Sequence, residues 1–465
     1  MSLEDRLYPV FRAYEASPQW AKSLAGTCYR MLPQSWRLGK AYAEFQSLIE
    51  RSLHWTPDEI EAYQVEQLRA SLSHAHAHCP YYRDKFDAAG VEPGVLGTTG
   101  DLAKFPTIEK RVLIDHREAM ASQAIPVSQR LYITTGGSTG VPVGFYLQKG
   151  VSRPKEQAFL EAMWAHAGYR PGARVAVMRG AVTSRAAQGN VLYRDATRDW
   201  LFLSSYHLTE ERLPEYLDAL ERFRPDFLHF YPSAALQLAD LLRRSGRDLG
   251  FVPKAMLCGS ERLEIPQKRL LEDAFGCRVY RWYGHSERAV LAGEGGSDET
   301  FYFWPAYGYT ELGEADEHGY REVIATTFHN LAMPLIRYRT GDYVKEAPPG
   351  RAREFPWLAI ECISGREQEF LVSASGRKIS LTAFNMHDGI FDGLYAVQFF
   401  QATPGKAEFR YVPAPGFDYA RLAQIERGIM RKLGDDFEIS FKEVRETEKT
   451  PRGKHRWLIA KLTLP

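Results

Sequence analysis

Residues 226–261 read "DFLHFYPSAALQLADLLRRSGRDLGFVPKAMLCGSE". A short apolar run stops at Pro232, a segment with leucines at helical spacing stops at Gly246, and a second apolar run stops at Gly259 and Ser260. Apolar runs closed by Gly, Pro or Ser are strand signals, and the middle segment has the period of an amphipathic helix. The rhythm continues on both sides. "RVAVMRG" (174–180) and "VYRWYGHSE" (279–287) are further strands, and "LPEYLDALERF" (213–223) is a further helix. Strand and helix in alternation predict a layered α/β domain.

Residues 1–120 read as helical and polar-rich. In "TPDEIEAYQVEQLRASLSHAHAH" (56–78), Thr56 is a candidate N-cap, with Pro57 at the first helical position and Glu59 three residues after the cap. The stretch from 321 to 365 turns β-rich in "REVIATTFHN" and "WLAIECISGR". Beyond Arg366 come two strands ("YAVQFFQAT", "KAEFRYVPA"), one helix ("YARLAQIERGIMRKLG") and two more strands. The predicted organisation is a large multi-layer N-terminal domain of sheets and helices over 1–366, with a helical entry region over 1–120. A small α+β domain follows over 367–465.

The chain has 465 residues, 45% of them hydrophobic and 25% charged, with a formal net charge of +1. That balance is globular and gives no electrostatic reason to expect nucleic acid. Five cysteines stand far apart without a CxxC pair, which predicts a reducing compartment and no structural zinc. No run is long enough to span a bilayer, and the start "MSLEDRLYPVF" is acidic where a secretory signal is basic. A cytoplasmic location is expected, with a two-fold homodimer as the default assembly.

Three features invite function. His74 and His78 sit four apart and could share a helix face as metal ligands do, but no acidic partner is nearby in sequence, so packing is favoured. From Arg12 to Lys40 the chain has five basic residues against one acidic, with Trp20 and Trp36. This segment reads either as peripheral contact with a membrane surface or as a helix packed on the main domain. The third feature is "TTGGSTG" (134–140), held between an apolar run and "VP". Glycine-rich loops cradle phosphate because successive N–H groups converge without Cβ atoms in the way. The spacing fits neither GxxxxGK[ST] nor GxGxxG, so a surface loop stays open at this point.

Other motifs decide between these readings. "TGGSTGVP" (135–142), "GSE" (259–261), "YGHSE" (283–287), "YRTGD" (338–342), "GREQE" (365–369) and "TPRGKHR" (450–456) occur in this order. The ordered set resembles the adenylate-forming ligases, the superfamily of acyl-CoA synthetases and luciferases, across nearly the whole chain. "LRASLSHAHAHCPYYRDKF" with "DLAKFPTIEKRVLI" is similar to the entry region of its phenylacetate–CoA ligase and CapK-like branch.

The resemblance implies an ATP-dependent, AMP-forming ligase that activates a carboxylic acid as acyl-adenylate and transfers it to CoA or an amine. It implies ATP and Mg²⁺ as cofactors. Thr135, Gly137, Ser138, Thr139 and Gly140 would hold phosphates, and Glu287 would bind Mg²⁺ and act catalytically. Glu261, Tyr283, Gly284, Asp342 and Arg366 would bind the nucleotide, with Tyr283 facing adenine and Asp342 taking the ribose hydroxyls. Gln368 would mark the hinge of a mobile C-terminal domain, and Lys454 would bridge the attacking carboxylate and the α-phosphate. Tyr231, Trp282 and His285 are candidates for the acyl pocket. Val143 and Gln368 depart from the pattern, where many relatives carry Lys or Thr and Asp. The alternatives are a non-catalytic nucleotide-binding or scaffold relative of the same fold and a Walker-type NTPase, against which the loop spacing counts.

Overall fold

The structure is a computed structural model. It describes residues 19–134, 143–179, 191–316, 319–348, 353–364, 370–381, 391, 393–413, 416–448 and 456–462.

The entry region is helical, as predicted: α1 (Gln19–Met31), α2 (Gln34–Leu38), α3 (Lys40–Ser52), α4 (Pro57–His78), α5 (Pro80–Ala89) and α6 (Lys110–Met120). The capping box of α4 forms: the Thr56 hydroxyl accepts from the Glu59 N–H, and the Glu59 carboxylate accepts from the Thr56 N–H at 2.8 Å. Caps of this kind contribute about 1 kcal/mol. The rings of His74 and His78 lie 4.9 Å apart on one face, yet His74 Nε2 is bonded to the Ser122 hydroxyl and the Leu331 carbonyl. His74 is therefore a packing residue. Among the described residues no cluster of three or more His, Cys, Asp or Glu could hold a metal.

β1 (Arg130–Thr134) and β2 (Gly144–Gln148) pair antiparallel, ending at Thr134↔Gly144. The main sheet then begins with β3 (Val175–Met178), β4 (Leu192–Asp195), β5 (Trp200–Leu203), β6 (Phe227–Phe230), β7 (Ala255–Gly259) and β8 (Arg278–Gly284). In the order β5-β3-β6-β7-β8 these strands run parallel. Helices α7 (Ser152–Ala165), α8 (Leu213–Phe223), α9 (Pro232–Ser245) and α10 (Ile265–Phe275) fall between strands or before them. Ala176 and Met178 of β3 pack with α8 and α9 residues such as Leu220 and Leu238. Val175 and Val177 pack with Phe159 and Trp164 of α7 and Phe45 of α3. Burial on both faces explains why β3, β6 and β7 read as unbroken apolar runs, whereas β8 alternates buried and half-buried residues.

Beyond β8 the sheet becomes antiparallel through β9 (Leu291–Glu294), β10 (Phe301–Phe303), β11 (Gly308–Ala315), β12 (Tyr320–Thr327), β13 (Tyr338–Glu346) and β14 (Ala359–Ser364). The result is a 12-stranded sheet in the order β11-β12-β13-β14-β10-β9-β8-β7-β6-β3-β5-β4. The β-rich stretch thus starts earlier than residue 321: β9 and β10 are too short to show a period, and the eight-residue β11 was missed as well.

After a hairpin of β15 (Phe370–Val372) and β16 (Lys378–Ser380), not foreseen from sequence, come β17 (Leu394–Thr403), β18 (Lys406–Pro413), α11 (Leu422–Leu433), β19 (Glu438–Glu443) and β20 (Leu458–Ala460). The last four strands form a separate sheet, β19-β18-β17-β20. Ile425, Ile429 and Leu433 of α11 share a core with Phe399, Phe409 and Trp457. The order strand, strand, helix, strand, strand is the predicted one.

A buried ion network ties α10 to β8 and β9. Both oxygens of Glu294 lie 3.1 Å from Lys268 Nζ, and Oε1 takes Arg281 Nε at 2.6 Å. The three side chains are all at least nine-tenths buried. Removing the anion strands Arg281 and leaves Lys268 only the half-exposed Glu299 at 3.4 Å, and breaking such a pair costs about 3–5 kcal/mol. Glu294→Ala is expected to lower the unfolding free energy read from urea titration by that amount, and an unchanged value would show the network to be dispensable.

Lys155 on α7 is also buried, its Nζ donating to the Tyr307 carbonyl at 2.6 Å and lying 3.8 Å from the Tyr307 ring centroid. Burial pushes its ammonium down from 10.5 to about 7, opposed by Glu156 and reinforced by Arg288. Above pH 7 the unfolded chain keeps a proton here that the folded chain has released. The unfolded state binds more protons, so this residue makes stability rise with pH up to its ordinary pKa. Lys155→Met is expected to remove a slope of up to about 1.4 kcal/mol per pH unit, read as the difference in urea unfolding between variant and parent from pH 7 to 9.

Candidate active site

In a parallel sheet the ends that receive ligands are the carboxyl ends of the strands, where loops and helix starts converge. Here β3 is followed by Arg179, β6 by Tyr231, β7 by Ser260 and Glu261, and β8 by His285 and Glu287. The Tyr231 N–H donates to the Met178 carbonyl at 3.0 Å, which joins the ends of β3 and β6.

Two motifs far apart in sequence interlock. Tyr283 Oη donates to Asp342 Oδ2 at 2.8 Å, and Tyr338 Oη donates to Glu287 Oε1 at 2.9 Å. The tyrosine of each motif holds the carboxylate of the other. Burial pushes both phenols well above their ordinary value, and the facing carboxylate adds to this, so both hydroxyls stay protonated and donate.

Glu287 is 5% exposed. Burial alone would raise its carboxyl, but the His285 imidazole, Lys110 and its own N–H outweigh that and hold it at about 2. His285 Nδ1 lies 3.3 Å from Glu287 Oε2 without hydrogen-bond geometry, and His285 Nε2 is buried without a partner among the described residues. Arg288, in the left-handed region at φ 54°, donates from Nη1 to the Ser152 carbonyl at 2.7 Å and so anchors the loop to the start of α7.

The strand β13 is equally constrained. Arg339 bonds Glu322 from Nε and Nη2 at 2.9 and 2.6 Å, and the Thr340 hydroxyl donates to the Val323 carbonyl. Gly341 follows at φ 75°, a conformation that favours glycine, and this turn presents Asp342 to Tyr283. The entry region reaches the site as well. The Arg339 N–H donates to the Ile108 carbonyl at 2.8 Å, and Lys110 opens α6 close enough to act on Glu287.

The remaining predicted residues divide. Glu261 accepts from the Ser233 N–H and hydroxyl at 2.8 and 2.9 Å, so its carboxylate caps the first turn of α9. Gly284 closes β8 opposite Leu291. Trp282 lies across Gly259, where any Cβ would run into the indole. Tyr231 is 8% exposed and faces Arg179, whose guanidinium carbon is 5.0 Å from its ring and 5.4 Å from that of Trp282. Arg179 and Lys110 were not singled out from sequence. Their signals were a charged residue at the end of an apolar strand and a lysine inside the entry motif.

Thr135, Gly137, Ser138, Thr139, Gly140, Arg366, Gln368 and Lys454 lie outside the described residues. The residues flanking the last of these motifs are described: Gln398 Nε2 donates to the carbonyls of Glu448 and Arg456 at 3.0 and 2.8 Å.

No family model matches the chain. It is 30% identical over 357 residues to phenylacetate-coenzyme A ligase of Escherichia coli (strain K12), covering 68% of this chain and 73% of that protein. To the phenylacetate-coenzyme A ligase of Aromatoleum evansii it is 30% identical over 332 residues, covering 68% and 72%. Protein CapK of Staphylococcus aureus is 27% identical over 334 residues, covering 70% and 73%. Among solved structures, 2-hydroxyisobutyryl-CoA ligase in complex with 2-HIB-AMP and CoA superposes with a TM-score of 0.56 at 18% identity, over 89% of this chain and 92% of that one. At that identity the likeness is one of fold. Similar in sequence to these relatives over most of their length, the chain belongs to the phenylacetate–CoA ligase and CapK-like branch of the adenylate-forming superfamily.

Proposed function

We propose that the chain is an ATP-dependent, AMP-forming carboxylate ligase that makes an acyl-adenylate and passes the acyl group to CoA. The observation that carries this reading is the crossed pairing of Tyr283 with Asp342 and of Tyr338 with Glu287. It brings a carboxylate of the antiparallel half, Asp342, to Tyr283 of β8, beside the loop that carries Glu287. The relatives named as CoA ligases support the choice of acceptor.

In the first half-reaction an oxygen of the substrate carboxylate attacks the α-phosphorus of ATP and pyrophosphate leaves. In the second, the CoA thiol attacks the acyl carbonyl and AMP leaves. Asp342, aimed by Tyr283, accepts the ribose hydroxyls. Glu287 is ionised at neutral pH, and one hard oxygen donor beside a nucleotide's phosphates suits Mg²⁺, which keeps several waters. The chemistry such an ion supplies is charge neutralisation on the β- and γ-phosphates. Tyr338 holds Glu287 Oε1, which orients the carboxylate. Thr135, Gly137, Ser138, Thr139 and Gly140 are assigned to the phosphates, and Lys454 to the charge that develops at the α-phosphate. Arg366 and Gln368 are assigned to the junction of domains 1–366 and 367–465, about which the smaller one turns between half-reactions.

For the basic aromatic segment from Arg12 to Lys40 we propose peripheral contact with an anionic membrane. Leu24, Met31 and Trp36 are 62%, 81% and 68% exposed, and among the described residues no helix is long and apolar enough to cross a membrane. Co-sedimentation with vesicles containing anionic lipid, reduced by Met31→Ser with Trp36→Ser, is expected. Absence of binding by the parent chain would overturn the contact.

Acid-dependent exchange of pyrophosphate into ATP tests the ligase reading, with aryl and fatty acids as the panel. AMP rather than ADP is expected as product, and Lys454→Ala is expected to lose roughly 100-fold or more in exchange rate. Tyr338→Phe removes a hydroxyl but no charge, and is expected to raise the half-saturating Mg²⁺ concentration about 10-fold. ADP formation, or no binding of ATP, would overturn the assignment.

A further inference from the structure

Arg179 is a cation held in place with no carboxylate within ion-pair distance among the described residues, although Glu261 is near enough to act on the same Tyr231 phenol. Its Nη1 donates to His229 Nε2 at 3.0 Å, and its Nη2 donates to the Ser260 hydroxyl at 2.6 Å. Its guanidinium carbon lies 5.0 Å from the Tyr231 ring centroid and 5.4 Å from that of Trp282, within the range in which aromatic faces attract a cation. These partners are neutral. Burial, with Arg179 beside it, pushes the His229 imidazole well below its ordinary value, and burial pushes the Tyr231 phenol up. Glu261, on the same loop as Ser260, has its carboxylate oxygens on Ser233.

Three buried polar atoms on these adjoining side chains have no partner among the described residues: Arg179 Nε, His229 Nδ1 and Trp282 Nε1. All three are donors, since His229 Nε2 accepts from Arg179 and its proton therefore sits on Nδ1. Buried donors left unpaired are costly; Trp282 Nε1 lies against Gly259, and Arg179 Nε is the one of the three that belongs to the cation itself. Ser260 adds a further sign. It is a non-glycine residue at φ 69°, a strained conformation of the kind found at ligand clamps, and it supplies the hydroxyl that holds Nη2.

Resting on the ligase reading above, we propose that Arg179 is an anion-recognition residue of the acyl pocket, and that the preferred acid carries a second carboxylate besides the one that is adenylated. Tyr231 and Trp282 give the pocket flat walls, and between them the guanidinium meets the distal carboxylate. Arginine suits this role because its fork stays charged and matches a carboxylate with two N–H groups. Glu287 and Asp342, assigned above to the nucleotide, take their hydroxyl donors from Tyr338 and Tyr283 and make no bond to Arg179.

The test compares matched acids on the full chain: phenylacetate with 4-carboxyphenylacetate, and hexanoate with adipate. Acid binding is read by calorimetry and turnover by pyrophosphate exchange, for the parent chain, Arg179→Met and Arg179→Lys. The parent is expected to favour the diacids in kcat/KM by about 10- to 100-fold. Arg179→Met is expected to reverse that order with ATP binding unchanged, and Arg179→Lys to keep part of it. Preference of the parent for the monoacids, read directly and without any variant, would overturn the proposal. So would an unchanged diacid preference in Arg179→Met, or loss of ATP binding in that variant with acid binding intact, which would give Arg179 to the phosphates. Diacid binding that depends on Arg179 but supports no exchange would uphold the pocket and overturn the ligase reading. Exchange with monoacids by a parent chain that neither binds nor turns over the diacids would do the reverse.

Discussion

A carboxylate taken out of water stays ionised only if fixed partners replace its hydration, and Glu287 meets that condition through residues from three parts of the chain. His285 comes from the loop after β8, Tyr338 from β13 and Lys110 from the entry helices. The reciprocal bond from Tyr283 to Asp342 closes the arrangement. This demand shapes the sheet. In the strand order, β9, β10 and β14 separate β8 from β13. Four steps of about 4.8 Å would place the two strands about 19 Å apart in a flat sheet. Side-chain contacts at 2.8 and 2.9 Å therefore require the antiparallel half to curl back on itself. The buried cluster of Ala292, Phe301, Phe303, Val323, Ala325, Val344 and Ile360 fills the inside of that curl.

The parallel half supplies the opposite quality, a rigid base. Its central strands β3, β6 and β7 are buried on both faces, and α10 is fastened to β8 and β9 through Lys268, Glu294 and Arg281. The loops at its carboxyl ends hold backbone strain, with Ser260 and Arg288 both in the left-handed region. Strained residues persist where the surroundings over-determine them. Ser260 is held by Arg179 and Arg288 by the Ser152 carbonyl, so the strain is concentrated where side chains must be aimed. One end of the sheet is thus shaped for a nucleotide and, around Arg179, for the acid.

Local sequence was a good guide wherever one element carried its own signal. Strands β3, β6, β7 and β8, helices α8 and α9, and the capping box at Thr56 form where the apolar runs, helical periods and turn residues placed them. Six short motifs in one order pointed to the family, and the curated relatives bear that out. Short elements without a period were missed: β9 and β10 have too few residues to alternate, and so does the β15–β16 hairpin.

Which motif residues touch each other was written nowhere in the motifs. The sequence placed Tyr283 and Glu287 in one motif and Tyr338 and Asp342 in another, but the crossing of their bonds depends on the curl of the sheet. Glu261 belonged to a motif read as nucleotide-binding, and packing brought Ser233 and the first turn of α9 to it. Arg179 looked like the ordinary polar end of "RVAVMRG" until Tyr231, Trp282, His229 and Ser260 arrived from three other strand ends. Periodicity and capping are local energies, summed over neighbours a few residues apart, so they can be read along the chain. The pairing of a buried charge is settled by whichever groups the whole fold brings within about 3 Å, and that distance has no counterpart in sequence separation.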